Sequence, residues 1–155
     1  MNKEEAIQAI NEKFKEISTE TIMLHQAVAD VLGLHITDHK CLDFIYRFGP
    51  MPAGRLAELT GLTTGAVTGV IDRIEAAGYV RRTNDPKDRR RIIVEPTRNK
   101  KLERRLEAIF APLGDRMYKL LSLYSDSELA FLLDATTKML EQSREESKRI
   151  RSLSR

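Results

Sequence analysis

The 155-residue chain has one cysteine, no apolar run long enough to cross a bilayer, and no glycine-rich phosphate loop following a strand. The single Cys41 excludes an internal disulfide. Without the apolar run there is no transmembrane helix, and the opening Met1-Asn2-Lys3-Glu4-Glu5 does not read as a signal peptide, so a soluble, cytoplasmic protein with no membrane partner is expected. A nucleophile elbow is missing too, and the carboxylates follow helical surface patterns, so nothing speaks for an enzyme or calls for a cofactor. Internal repeats and low-complexity segments are absent. A strong charge of one sign is also lacking: 26 lysines and arginines against 23 acidic residues leave +3, which implies nucleic acid only if the distribution does. The length fits one domain, or a small one with extra helices.

What is present centres on residues 55–95. Val67, Val70, Ile71 and Ile74 fall at helical spacing and make one apolar face. The opposite face carries Thr64, Gly65, Thr68, Gly69, Asp72 and Arg73. Each glycine inside a helix costs about 1 kcal/mol relative to alanine, so a flat face pressed against something is the reason to look for. Gly78 closes this helix, a short strand follows, and Asn84-Asp85-Pro86-Lys87-Asp88-Arg89-Arg90-Arg91 forms a turn-rich basic loop before the return strand Ile92-Ile93-Val94. Upstream, Pro52 opens a short helix over residues 53–60 with Leu56, Ala57 and Leu59 inward, and Gly61 makes the tight turn. Two short helices joined by a glycine turn, then a basic hairpin, form a winged helix-turn-helix. The second helix starts at Thr37 as N-cap with Asp38 favoured by the dipole, and buries Leu42, Ile45 and Tyr46 or Phe48.

Long apolar seams lie at both ends of the chain. Ile7, Ile10, Phe14, Ile17, Thr21, Leu24, Val28 and Val31 step by three and four residues along a first helix that stops at Gly33. From Pro96-Thr97 another long helix presents Leu102, Leu106, Ile109, Leu113, Met117 and Leu120, with Pro112 predicting a kink or break. Ser125-Asp126-Ser127-Glu128 is a capping box for a last helix, whose apolar side is Leu129, Leu132, Leu133 and Leu140. This is more apolar surface than one small winged helix covers, so a two-fold homodimer with two recognition helices about one DNA turn apart is expected; the alternative is that both seams pack on the central domain. The fold class is mainly α with a small β wing. Its divisions are an N-terminal dimerisation helix over 1–35, a winged helix-turn-helix over 36–96, and C-terminal dimerisation helices over 97–155.

This order of parts resembles the MarR family of bacterial transcriptional regulators over nearly the whole chain. The specific pieces are the wing run Asp85-Pro86-Lys87-Asp88-Arg89-Arg90, which matches the family's Asp-x-x-Asp-x-Arg pattern, and the helix exit from Val70 to Arg82. Past the wing the family commonly has Leu-Thr-x-x-Gly, whereas this chain has Pro96-Thr97-Arg98-Asn99-Lys100. The resemblance implies a regulator of transcription, most simply a ligand-responsive repressor, that binds double-stranded DNA with the helix from Thr63 in the major groove. Thr63 and Thr64 then meet phosphate, Thr63 being equally readable as a plain N-cap. Thr68 touches a thymine methyl or base edge, while Gly65, Ala66 and Gly69 permit close approach. Arg73 reaches phosphate or pairs with a wing carboxylate such as Asp85, the second being favoured because it braces the wing. Arg90 enters a narrow minor groove, Asp88 orients it, and Arg89 and Arg91 take phosphates or replace it.

The family's small aromatic or anionic effectors bind in a crevice between dimerisation and DNA-binding parts, for which Met23, His25, His39, Phe44 and Phe110 are the lining candidates. Some relatives sense oxidants or zinc, so Cys41 is a redox candidate and His35, His39 and Cys41 a metal candidate; core packing of Cys41 is the simpler reading, and no metal ligand set is nominated. A winged-helix module that binds protein is the remaining alternative, and such a module would lack a basic wing.

Overall fold

A computed structural model describes residues 1–88 and 90–153. The chain divides into two compact units, Met1–Arg104 and Arg105–Arg155.

In the first unit, helix α1 (Lys3–Leu32) begins at a capping box made by Asn2 and Glu5 and ends at Gly33, whose φ of 69° supplies the left-handed cap. Only Val28, Ala29 and Leu32 of its 30 residues are buried. Helix α2 is Ile36–Phe48, α3 is Ala53–Thr60 and α4 is Thr64–Ala76. Strand β1 (Val80–Asn84) runs antiparallel to β2 (Ile92–Pro96), and a bridge between Met51 and Val94 adds a short third rung. The core forms where the inward faces of these elements meet: Leu42 and Ile45 from α2, Leu56 from α3, Val67, Val70, Ile71 and Ile74 from α4, and Val80, Ile93 and Val94 from the sheet. Each such side chain contributes about 1.5–3 kcal/mol on leaving water. Gly61 takes a φ of 72° between α3 and α4, a turn that a side chain would strain. The Tyr79 hydroxyl donates to the Leu32 carbonyl at 2.7 Å, fastening the exit of α4 to the end of α1.

Three local expectations are corrected. Thr37 is not the N-cap of α2; His35 occupies that place without a side-chain bond, and Thr37 lies inside the helix. Neither Tyr46 nor Phe48 is buried: both are exposed, and the buried side runs through Asp38, His39, Cys41, Leu42 and Ile45. Pro96 and Thr97 do not open α5. Pro96 pairs with Val80 in the sheet, the Thr97 hydroxyl donates to the Gly78 carbonyl at 2.6 Å, and the Asn99 side chain accepts from the Lys101 and Leu102 amides to start the helix three residues later.

Helix α5 (Lys100–Leu121) crosses the unit boundary, and α6 (Asp126–Ser152) completes the second unit. The Ser125–Glu128 capping box is formed in both directions. Pro112 does not break α5, which runs unbroken past it; the Ala108 carbonyl that loses its donor belongs to an exposed residue, where water serves instead. No described residue of α5 or α6 is buried, and Met117, Tyr118, Leu120, Phe131, Leu133 and Leu140 stand exposed.

Candidate nucleic-acid interface

Helix α4 buries one face so completely that its other face is free for a second task. At its start the Thr63 hydroxyl accepts the Ala66 amide at 3.2 Å, so Thr63 is an N-cap. Thr64 is exposed, and the Thr68 hydroxyl donates to the Thr64 carbonyl at 3.0 Å, which commits the hydroxyl hydrogen to the helix. A methyl group added at Gly65 would meet nothing in the chain within 4 Å, and one at Gly69 would meet only the Arg73 Nη1, at 3.5 Å. The two glycines are therefore not required by packing within the protein. They line, with Ala66 and Arg73, an open cleft of about 1000 Å³ whose far wall is the corner between α1 and α2, including His35 and Ile36.

Arg73 does not pair with the wing. Its Nε and Nη2 donate to the two oxygens of Asp38 on α2 at 2.7 and 2.6 Å, and those bonds hold its guanidinium protonated above the usual arginine range. The brace expected from Arg73 and Asp85 is built from other residues. Arg82 on β1 donates to Asp72 at 2.5 Å and also to Glu75, both on α4, while the Arg82 backbone amide donates to Glu75 at 2.7 Å. The sequence signal for this clamp is the acidic pair three residues apart on α4, facing a cation just beyond the Gly78 turn.

The wing loop is held by its own aspartates. The Asp85 side chain accepts the Lys87 amide at 2.9 Å, the Asp88 side chain accepts the Arg90 amide at 3.0 Å, and the Asp85 amide donates across the loop to the Arg91 carbonyl at 2.8 Å. Asp88 thus acts on the Arg90 backbone. Arg90 and Arg91 are exposed at the tip, and Arg89 lies outside the described residues.

Of the effector-pocket candidates, the structure brings His25 and His39 together, with Nδ1 and Nε2 at 3.3 Å across α1 and α2. Burial is the main cause lowering the His39 pKa below its ordinary value, with His25 second. Phe44 stacks on Phe48 at 5.8 Å with Lys40 over its ring, Met23 is exposed, and Phe110 belongs to the other unit. None of the five lines the cleft on α4. Among the described residues no three histidine, cysteine, aspartate or glutamate side chains gather as a metal ligand set. Cys41 is fully buried, and burial first, then Asp38, pushes its thiol up to about 11. A thiol with that pKa is almost entirely protonated at neutral pH. Cys41 is therefore expected to resist a thiol-directed chromogenic reagent in the native protein and to react fully once urea unfolds it; rapid native labelling would reopen the redox reading.

A family model described as the MarR family matches residues 34–92. Over 139 residues the chain is 40% identical to an uncharacterized HTH-type transcriptional regulator, YcgE of Bacillus subtilis (strain 168), covering 89% of this chain and 88% of that one. It is similar in structure to the transcriptional regulator Tm0710 from Thermotoga maritima, with a TM-score of 0.59 and 27% identity over 90% of this chain and 96% of that one. The fold is shared as well by Streptococcus pneumoniae FabT, whose structure is in complex with DNA, with a TM-score of 0.70 and 21% identity over 90% of this chain and 98% of that one.

Proposed function

The chain belongs to the MarR family, and from that premise we propose that this transcriptional regulator is a homodimeric, ligand-responsive repressor reading a pseudo-palindromic operator in double-stranded DNA. The observation that carries the proposal is the unneeded smallness of Gly65 and Gly69. A helix that gives up about 1 kcal/mol at each position, with only open space above Gly65 and a single arginine nitrogen above Gly69, is shaped for something outside the chain. A major-groove floor fits that requirement. In this reading Thr64, Gly65, Ala66, Thr68 and Gly69 meet the duplex, and Thr63 combines capping with a phosphate contact through the free amides of the first turn. Arg90 enters the minor groove, Arg89 and Arg91 hold the flanking phosphates, and Asp88 fixes the loop backbone. Residues 36–96 are the reading domain, while 1–35 and 97–155 supply the dimer.

Selecting genomic fragments on the purified protein and repeating the gel shift over a salt series tests this. A handful of fragments with a shared inverted repeat, bound with an affinity that falls steeply with salt, is the expected result. Binding that is absent, or indifferent to both salt and sequence, refutes it. Adding small aromatic carboxylates to the same gel shift tests the effector.

Burial supports the dimer. An isolated helix needs packing to persist, yet only the last turns of α1 are buried, while Ile7, Ile10, Phe14 and Ile17 are exposed along one stripe. A second copy of the same seam is the proposed cover. Phe14→Asp is expected to weaken self-association about 30-fold or more, seen by sedimentation as a shift to monomer at micromolar concentration, without disturbing the core. An unchanged sedimentation coefficient removes α1 from the interface.

A further inference from the structure

Asp38 is a buried carboxylate that takes no part in the bonds shaping the wing. It sits on α2, 2% exposed, and its two oxygens take the Nε and Nη2 of Arg73, a residue 35 positions away in the chain and half exposed on α4. Burying a carboxylate to hold two helices together is a poor use of it, since an apolar pair of similar volume serves as well or better. What the ion pair gives instead is a fixed plane. With the side edge of the guanidinium held by Asp38, the end edge, carrying one hydrogen of each Nη, stays open. Nη1 lies over the Gly69 gap, where a methyl group would stand 3.5 Å away, and Arg73 lines the same cleft as Gly65 and Ala66.

We propose that Asp38 is a positioning residue that presents the end edge of Arg73 to paired acceptors, and that these are the O6 and N7 of a guanine in the major groove. The proposal rests on the reading of α4 as the recognition helix. A guanine is favoured over a phosphate for two reasons. The carboxylate at bonding distance cancels most of the long-range attraction between Arg73 and a phosphate, whereas it leaves the donors available to a neutral base edge. A phosphate can also take an arginine fork, but its oxygens can be approached from several directions, whereas the O6 and N7 of guanine accept only from a fork lying in the base plane, so fixing the plane of Arg73 gains more at a base edge.

The test is selection from a random duplex library by the wild type, Arg73→Ala, Arg73→Lys and Asp38→Asn, with melting curves on each. All three variants are expected to lose one guanine preference per half-site, the same one. Affinity for the wild-type site should fall about 5- to 150-fold, with affinity for random duplex and the salt slope little changed. Arg73→Lys keeps the charge on an intact Asp38, so it stands in should Asp38→Asn melt out. Variants that select the wild-type motif with its guanine intact overturn this proposal and leave the DNA-reading function standing. A salt slope that drops by about one per subunit for every sequence makes Arg73 a phosphate anchor and also overturns it. A wild type that selects no motif at all removes both readings together.

Discussion

Arg90→Ala is expected to weaken operator binding by about 10- to 100-fold while leaving the melting temperature within a degree or two. On the proposed reading, the binding loss comes from removing a guanidinium from a narrow minor groove, where the negative potential is strongest. Stability is spared because, among the described residues, no hydrogen bond or ion pair holds the side chain. Arg90 is exposed at the tip, and the loop is shaped by the Asp85 and Asp88 carboxylates and by backbone bonds across it, all of which an alanine keeps. Asp88→Ala should separate the two contributions. It keeps the Arg90 side chain but removes the acceptor of its amide, so binding falls because the tip is less ordered. Both are measured by titrating a labelled operator at fixed moderate salt, alongside thermal unfolding followed by circular dichroism. If Arg90→Ala binds as the wild type does under those conditions, the wing has been assigned wrongly.

Gly65→Leu should produce effects of opposite sign in the same two measurements. In the free protein the site is open, with no atom within 4 Å of an added Cβ, and leucine is a far better helix former than glycine, so stability should rise by about 0.5–1 kcal/mol. If α4 reads the groove as proposed, the same side chain occupies space that the groove floor needs. Overpacking of a closely fitted contact costs about 1–3 kcal/mol or more, so operator affinity should drop by at least about fivefold. Gly65→Ala should follow the same pattern more weakly. A Gly65→Leu protein that melts higher and binds its operator normally would mean that the glycine face meets no partner. One that melts lower would mean that the cleft is closed in solution by another part of the chain.

How far local rules reach into this chain can be judged from particular residues. Helix α3 was legible to the residue because Pro52 and Gly61 bracket it, and the apolar face of α4 because Val67, Val70, Ile71 and Ile74 obey one period. The α6 start was legible because a capping box is contained in four residues. Misreadings occurred where a residue answers to something distant. Asp38 does lie in the first turn of α2, where the dipole favours it, but it also holds Arg73, which no local window contains. Thr97 looks like a helix start but is spent on the Gly78 carbonyl, so the helix waits for Asn99. Arg73 was expected to brace the wing, and the brace fell to Arg82, since the strand turns back along α4 within reach of Asp72 and Glu75. Residues of the seams were visible by periodicity, while the partner proposed for them, a second copy, is not written in one chain.

The Arg82 clamp bears on how the protein finds and keeps its site. If helix and wing touch two grooves as proposed, they are two weak ligands joined by a spacer, and the strength of the pair depends on how often the second is correctly placed once the first has bound. With Arg82 held by Asp72 and Glu75, the spacer has almost no freedom, so the effective concentration of the tip at its groove is high when the duplex has the matching width and nearly zero when it does not. Loosening the clamp therefore trades discrimination for tolerance. An Arg82→Ala protein should hold its best operator less tightly, yet be less troubled by changes in the spacing between the base pairs that the helix and the wing touch.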